Sequence, residues 1–250
     1  MKLQFKHQKF QADAAKAVCD AFAGQPFHSA TYLVDSGYLP EEQMKMAEVA
    51  GQASLLDSVM GYNNAPLEVA PEQVLSQIQK IQRSHQIAPS KELAGRYNLT
   101  VEMETGVGKT YTYIKTMYEL NARYGFSKYI VVVPSVAIRE GVYKTFQVTQ
   151  EHFAQEYNKK VRFFIYNSRQ LHQIDQFATD NAIHVMIINA QAFNARGKDA
   201  RRIYMKLDEF RSRRPIDIIA KTNPILIIDE PQSVEGKQTK ERLKEFNALF

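Results

Sequence analysis

The segment Thr105-Gly106-Val107-Gly108-Lys109-Thr110 limits what this chain can fold into more than any other stretch of it. It joins a short apolar run, Leu99–Met103, to a helix-length pattern, Lys109–Tyr124, that stops before Gly125. A strand, a glycine loop and a helix in that order make an anion cradle. Glycines let the backbone approach closely, so successive N–H groups can point at phosphate oxygens. The start of the helix turns its positive end to the same place. Lys109 can then reach the β- and γ-phosphates of a nucleoside triphosphate, and the Thr110 hydroxyl can ligate Mg²⁺. The competing explanation is a glycine turn ahead of an ordinary helix. The longer pattern GxxxxGK[ST] has glycine where this chain has Met103.

Beyond the loop, short apolar runs alternate with longer helical patterns: Tyr129–Pro134, Phe163–Tyr166, His184–Asn189 and Ile225–Asp229. Two of them, YIVVVP and ILIID, lack polar alternation and suit strands buried on both faces of a parallel sheet. The spacing predicts βαβ units and an α/β fold, with the sheet flanked by helices. The last run ends in Asp229 and Glu230. Carboxylates at the C-terminal end of such a strand lie where α/β sheets hold ligands. With the glycine loop they form a pair in which Asp229 holds Mg²⁺ and Glu230 polarises the attacking water.

Upstream, residues 1–24 carry one helix, with Ala14, Ala15, Ala17, Val18, Ala21 and Phe22 on a helical period and Gly24 as its stop. Residues 25–97 are polar and rich in Gln and Ser; they are expected to be a helical insertion. Pro40-Glu41-Glu42 is its helix start and Gly61-Tyr62-Asn63-Asn64 its turn signal. Residues 98–250 are then the phosphate-loop domain.

Composition closes off other classes. Hydrophobic residues at 44% and charged ones at 24% exclude a disordered or fibrous chain. The single cysteine, Cys19, cannot form an internal disulfide, and no Cys/His set has zinc spacing. No apolar run has the length of a membrane span and the first residues lack a signal-peptide stretch, so a reducing cytoplasm is expected. The formal charge is +5, and residues 196–214 carry all of it: eight cationic against three acidic residues, with Arg201, Arg202, Arg213 and Arg214 among the former. Such a stripe suits a polyanion or, equally, a solvated helix face.

METGVGKT (103–110), VVVPSVAIREGVYKT (131–145), YNSRQL (166–171), MIINAQAFN (186–194) and IIDEPQS (227–233) together resemble superfamily 2 helicases. Among those, the chain is most similar to the Res subunit of Type III restriction enzymes, with DEPQ the feature most particular to that group. Superfamily 2 proteins commonly start the loop with a residue other than glycine, as at Met103; Val107 departs from the usual threonine or serine. The resemblance implies a RecA-like P-loop NTPase lobe that binds ATP and Mg²⁺, part of an ATP-dependent DNA translocase. It also implies an endonuclease in the parent enzyme and a modification methyltransferase subunit as partner.

It further implies an adenine-reading glutamine. Gln11 is the best match, with Gln8 the alternative one turn earlier. A glutamine amide can donate to N7 and accept from the N6 amino group of adenine. Nucleic-acid backbone contacts are implied at Ser135, Arg139, Asn167 and Asn189, with Pro134, Ser168 and Gln191 beside them; loop capping is the other explanation for each. A motor of this kind has a second lobe that supplies arginine fingers, and its Ser/Thr-Ala-Thr motif is not reached by Phe250. The run RLKEFNALF leaves Phe246, Leu249 and Phe250 without a later element to pack on, so an N-terminal fragment is expected. Two other readings stay open: a superfamily 2 remodeller acting on RNA or DNA, and a binding module that holds ATP without hydrolysing it.

Overall fold

The structure, a computed structural model, describes residues 5–29, 31–35, 59–95, 97–194, 202–206, 214–234 and 236–250. Its centre is a parallel sheet of β3 (Lys128–Val133), β4 (Arg162–Ile165), β5 (His184–Asn189) and β6 (Ile225–Ile228), in the order β4-β5-β3-β6. Every residue of β3 and β5 is buried. Alternate side chains of both strands enter opposite cores: Val131, Val133, Val185 and Ile187 one, Ile130, Val132, Met186 and Ile188 the other. This is why neither strand shows polar alternation in sequence.

Helices supply the covering layers. On the first face lie α1 (Lys9–Ala21), α2 (Pro71–Ser84), α3 (Lys109–Tyr124) and α4 (Val136–Tyr157), with α1 packed on both α2 and α3, and α3 on α4. On the second lie α5 (His172–Thr179), the short α6 (Ala190–Asn194), α7 (Pro215–Lys221) and α8 (Lys237–Lys244). The architecture is the mainly parallel, helix-flanked RecA-like α/β fold that the strand pattern and the resemblance imply. Among the described residues no helix is long and apolar enough to cross a membrane.

Three sequence expectations need correction. Residues 99–103 form no strand; Leu99 packs against the core, but Val101 is 48% exposed, so the run has no continuous face to bury. The 25–97 stretch is not wholly helical: Thr31–Asp35 and Val59–Asn63 form an antiparallel pair, β1 and β2. Gly61 therefore sits in a strand rather than a turn, and a Cβ there would lie 2.8 Å from the Ala178 carbonyl oxygen of α5. Close backbone approach, not chain reversal, accounts for that glycine. The Pro40 helix start lies outside the described residues. Finally, Phe246, Leu249 and Phe250 do find partners. Phe246 is fully buried, and the Phe250 ring lies 4.3 Å from that of Phe22. Leu249 N–H donates to the Pro224 carbonyl and Leu226 N–H to that of Phe250, along the β6 edge that faces away from β3.

Asn64 ties the upstream stretch to the sheet. Its side-chain oxygen accepts from the N–H groups of Ser127 and Lys128, and its amide donates to the carbonyls of Lys128 and Asn223. One buried side chain thereby satisfies the backbone where β3 starts and β6 is entered.

The N-terminal ends of β3 and β5 carry a buried polar group. His184 faces Lys128, Asp180, Arg162 and the rings of Phe164 and Phe177. Burial, followed by the Lys128 charge, pushes the imidazole down to about 4 from 6.5. Between those values the unfolded chain binds the proton and the folded chain does not, so stability should fall as pH drops through that window. The loss at the acid end is at most about 3 kcal/mol. Denaturant unfolding from pH 7 to pH 4 should show this slope flattened in His184→Gln; an unchanged slope would exclude His184 as its source.

Candidate phosphate-binding site

Parallel pairing puts all four strand ends on one edge of the sheet: Val133 is paired with Asn189, Val132 with Ile228 and Ile165 with Ile187. The chain steps outward to β4, returns to β5, then crosses β3 to reach β6. The edge above β3 and β6 is thus a topological switch point, where sheets of this kind hold ligands.

The loop 104–108 lies at that edge, and α3 begins at Lys109 as the sequence predicts. Gly108 occupies the N-cap in a left-handed conformation (φ 90°), and Gly106 is left-handed too (φ 83°). Both conformations cost L-residues about 1–2 kcal/mol. No side chain caps α3, so its first N–H groups are left to whatever the loop encloses. Thr105 is exposed and Val107 half-buried.

Across the loop stands the end of β6. Lys109 Nζ donates to Glu230 Oε1 at 2.9 Å, and Gln232 Nε2 donates to the other Glu230 oxygen at 2.7 Å. These two contacts hold the Glu230 carboxyl below its ordinary range, Gln232 first and Lys109 second. Asp229 moves the other way, raised by burial and by the adjacent Glu230 charge. The Glu230 backbone is left-handed (φ 55°) although proline follows. A non-glycine residue there carries strain of about 1–3 kcal/mol, of the kind that gathers at functional sites.

Tyr113, which sequence reading missed, follows Thr110 by three positions on α3 and stands near Asp229, with a buried hydroxyl that closes no hydrogen bond. The i, i+3 spacing puts it on the Thr110 face of the helix but says nothing of Asp229. Gln232, inside DEPQ, was likewise not singled out as a partner of Glu230. The oxygens of Thr110 and Asp229 are hard donors that suit Mg²⁺, which takes few protein ligands and keeps waters.

Gln11 lies on the buried stripe of α1 with Ala15 and Cys19, not on its surface. Its Nε2 donates to the Val107 carbonyl at 2.8 Å, fastening α1 to the loop. Next to it Phe10, Ala14, Glu102, Met103, Glu104 and Val107 line a cleft of about 320 Å³. Phe10 is 47% exposed there.

Of the expected nucleic-acid residues, Ser135, Arg139, Asn167 and Asn189 follow or end strands on the same edge. Ser135 caps α4 by accepting from Ile138 N–H, and Asn167 accepts from Arg169 N–H. Arg139 pairs with Glu140 at 2.8 Å, and Asn189 is buried at the end of β5. Arg202 lies half-buried in a 3-10 turn, Arg202–Tyr204. Arg201 and residues 207–213 fall outside the described residues.

The family model for the Type III restriction enzyme res subunit matches residues 67–249. The chain is 30% identical over 208 residues to the EcoP15I Res subunit of Escherichia coli, covering 75% of this chain and 21% of that protein. It is 29% identical over 207 residues to the EcoPI Res subunit of Escherichia phage P1, with the same coverage. To the StyLTI Res subunit of Salmonella typhimurium it is 33% identical over 158 residues, 54% of this chain and 15% of that one. The chain spans about a fifth of the length of the first two relatives. With the match covering well over half of its residues, the chain belongs to the Type III restriction enzyme res subunit family, whose domain is of the helicase type.

Proposed function

We propose that the chain is the ATP-binding first motor lobe of an ATP-dependent DNA translocase, working in the cytoplasm as part of a Type III restriction enzyme with a modification methyltransferase subunit. The observation that carries this reading is the meeting of Lys109 with Glu230 at 2.9 Å between the glycine loop and the end of β6. A cation on the loop and a carboxylate on the strand end are the two charges that triphosphate hydrolysis needs on either side of the γ-phosphate.

In this reading Lys109 exchanges Glu230 for the β- and γ-phosphate oxygens, and the loop N–H groups of residues 105–110 cradle the rest. Glu230, released from Lys109, orients the attacking water and takes its proton. Asp229 and Thr110 hold Mg²⁺, which neutralises charge developing on the phosphates. Adenine enters the cleft beside Phe10, with Gln11 reading its edge while bound to the loop. DNA passes over the strand ends along Ser135, Arg139, Asn167 and Asn189, with Arg201 and Arg202 adding charge; these groups suit phosphates and carry no base preference.

Calorimetric titration with ATP–Mg tests the loop. Lys109→Ala should lower affinity at least tenfold with the melting temperature retained; unchanged affinity would remove the phosphate-site assignment. Glu230→Gln should keep affinity while abolishing DNA-stimulated hydrolysis in a protein containing both lobes. Hydrolysis at the parent rate would deny Glu230 a catalytic role, and a parent protein that binds ATP but does not hydrolyse it with DNA present would argue for an ATP-holding switch.

The two glycines should differ. A Cβ on Gly106 meets nothing within 4 Å, whereas one on Gly108 lies 2.6 Å from Gln11 Nε2. Gly106→Ala should therefore cost only its conformational term, about 1–2 kcal/mol, and Gly108→Ala should cost more because Gln11 must leave Val107. Combining Gly108→Ala with Gln11→Ala should remove the excess in thermal unfolding; an excess that persists would place the strain elsewhere in the loop.

A further inference from the structure

Gln232 holds one oxygen of the Glu230 carboxylate and Lys109 the other. Gln232 Nε2 donates to Oε2 at 2.7 Å, and Lys109 Nζ donates to Oε1 at 2.9 Å. A neutral amide and a cation thus share one carboxylate, and they come from different parts of the fold. Lys109 opens α3, whereas Gln232 lies in the 3-10 turn Pro231–Val234 directly after β6. That turn, entered from the left-handed Glu230 backbone (φ 55°), brings a side chain two residues on back to the carboxylate.

Stability does not account for the contact. Gln232 is exposed, and the Glu230 side chain is 37% exposed. A hydrogen bond between neighbouring side chains in water returns little to the fold, because water offers both groups equivalent partners. The bond also has to remove rotamer freedom from two long side chains.

Charge decides which donor stays when a triphosphate enters. Lys109 is a cation and follows the phosphate oxygens, leaving Glu230 Oε1. The Gln232 amide carries no net charge, so it is not drawn away with Lys109 and does not neutralise the carboxylate. Oε2 then remains fastened while Oε1 is freed where the ammonium had been. A carboxylate on a flexible stem serves as a base only when it is held close to the productive geometry.

We propose that Gln232 is a positioning residue that fixes the Glu230 carboxylate through Oε2, so that departure of Lys109 presents Oε1 to the water attacking the γ-phosphate. In that step the water oxygen bonds to the γ-phosphorus, its proton passes to Oε1, and the bridging oxygen leaves with ADP. Gln232 keeps its own protons throughout. The proposal rests on the reading of this site as one for ATP hydrolysis. It requires the amide to act on the hydrolytic step while nucleotide affinity, DNA affinity and the fold stay as they are.

The test measures steady-state ATP hydrolysis by the full-length protein at saturating DNA. Gln232→Met keeps the length of the side chain and removes the amide. It should lower kcat about tenfold, the effect of losing a hydrogen bond to a charged group, with kcat/KM falling equally. Its affinities for fluorescent N-methylanthraniloyl-ATP with Mg²⁺ and for DNA should stay within about twofold of the parent, with an unchanged melting temperature. Glu230→Asp draws the carboxylate back from Gln232. Adding Gln232→Met to it should bring less than about a twofold further loss, because both changes remove the same contact. An unchanged kcat in Gln232→Met, or full additivity with Glu230→Asp, overturns the positioning role alone. So does a loss confined to DNA affinity, which assigns Gln232 to nucleic acid, and so does a joint fall in nucleotide affinity and melting temperature, the signature of packing. A parent protein that does not bind the nucleotide, or Glu230→Gln hydrolysing at the parent rate, overturns the site reading and Gln232 with it.

Discussion

The parallel pairing of β3 with both β5 and β6 is the constraint on which the rest depends. Strands buried on both faces must be apolar throughout, so their polar residues are displaced to the ends. Parallel direction then collects those ends on one edge, and the step over β3 from β5 to β6 opens the crevice there. Lys109 and Glu230, far apart in sequence, come within 2.9 Å as a consequence of sheet order rather than of any local preference. Removing the burial of β3 would remove the site.

Around that edge the structure holds conformations that would be costly elsewhere. Gly106 and Gly108 are left-handed in the loop, and Glu230 is left-handed ahead of a proline. Uncapped N–H groups at the start of α3 face the same space. A buried phenol without an aligned partner stands beside Asp229. Each is a departure from local rules, and such departures concentrate where a chain serves a ligand instead of its own stability. The Gln11 amide completes the frame by joining α1 to the loop through Val107.

How much of this could be read from residues alone depends on how local each feature is. TGVGKT, the helix to Tyr124 and the buried strands were legible because glycine loops, helical period and apolar runs are properties of short windows. Leu99–Met103 had the look of a strand, but pairing is decided by partners, and its exposed Val101 found none. Gly61 signalled a turn, whereas its absent side chain serves an approach to Ala178 on α5. Gln11 was readable as an adenine contact from a resemblance; its bond to Val107 was not, because nothing in the first helix announces the loop. Tyr113 and Gln232 were overlooked for the same reason. A tyrosine in an amphipathic helix and a glutamine after a proline carry no signal until Asp229 and Glu230 are placed next to them.

The central claim is that the Lys109–Glu230 contact marks the place of the γ-phosphate. A crystal structure of the chain with a non-hydrolysable ATP analogue and Mg²⁺ measures this most directly. The account predicts Lys109 Nζ on the β- and γ-phosphate oxygens, Glu230 turned away from it, and the cation beside Thr110 and Asp229. A nucleotide bound elsewhere, with Lys109 and Glu230 still paired, would contradict it.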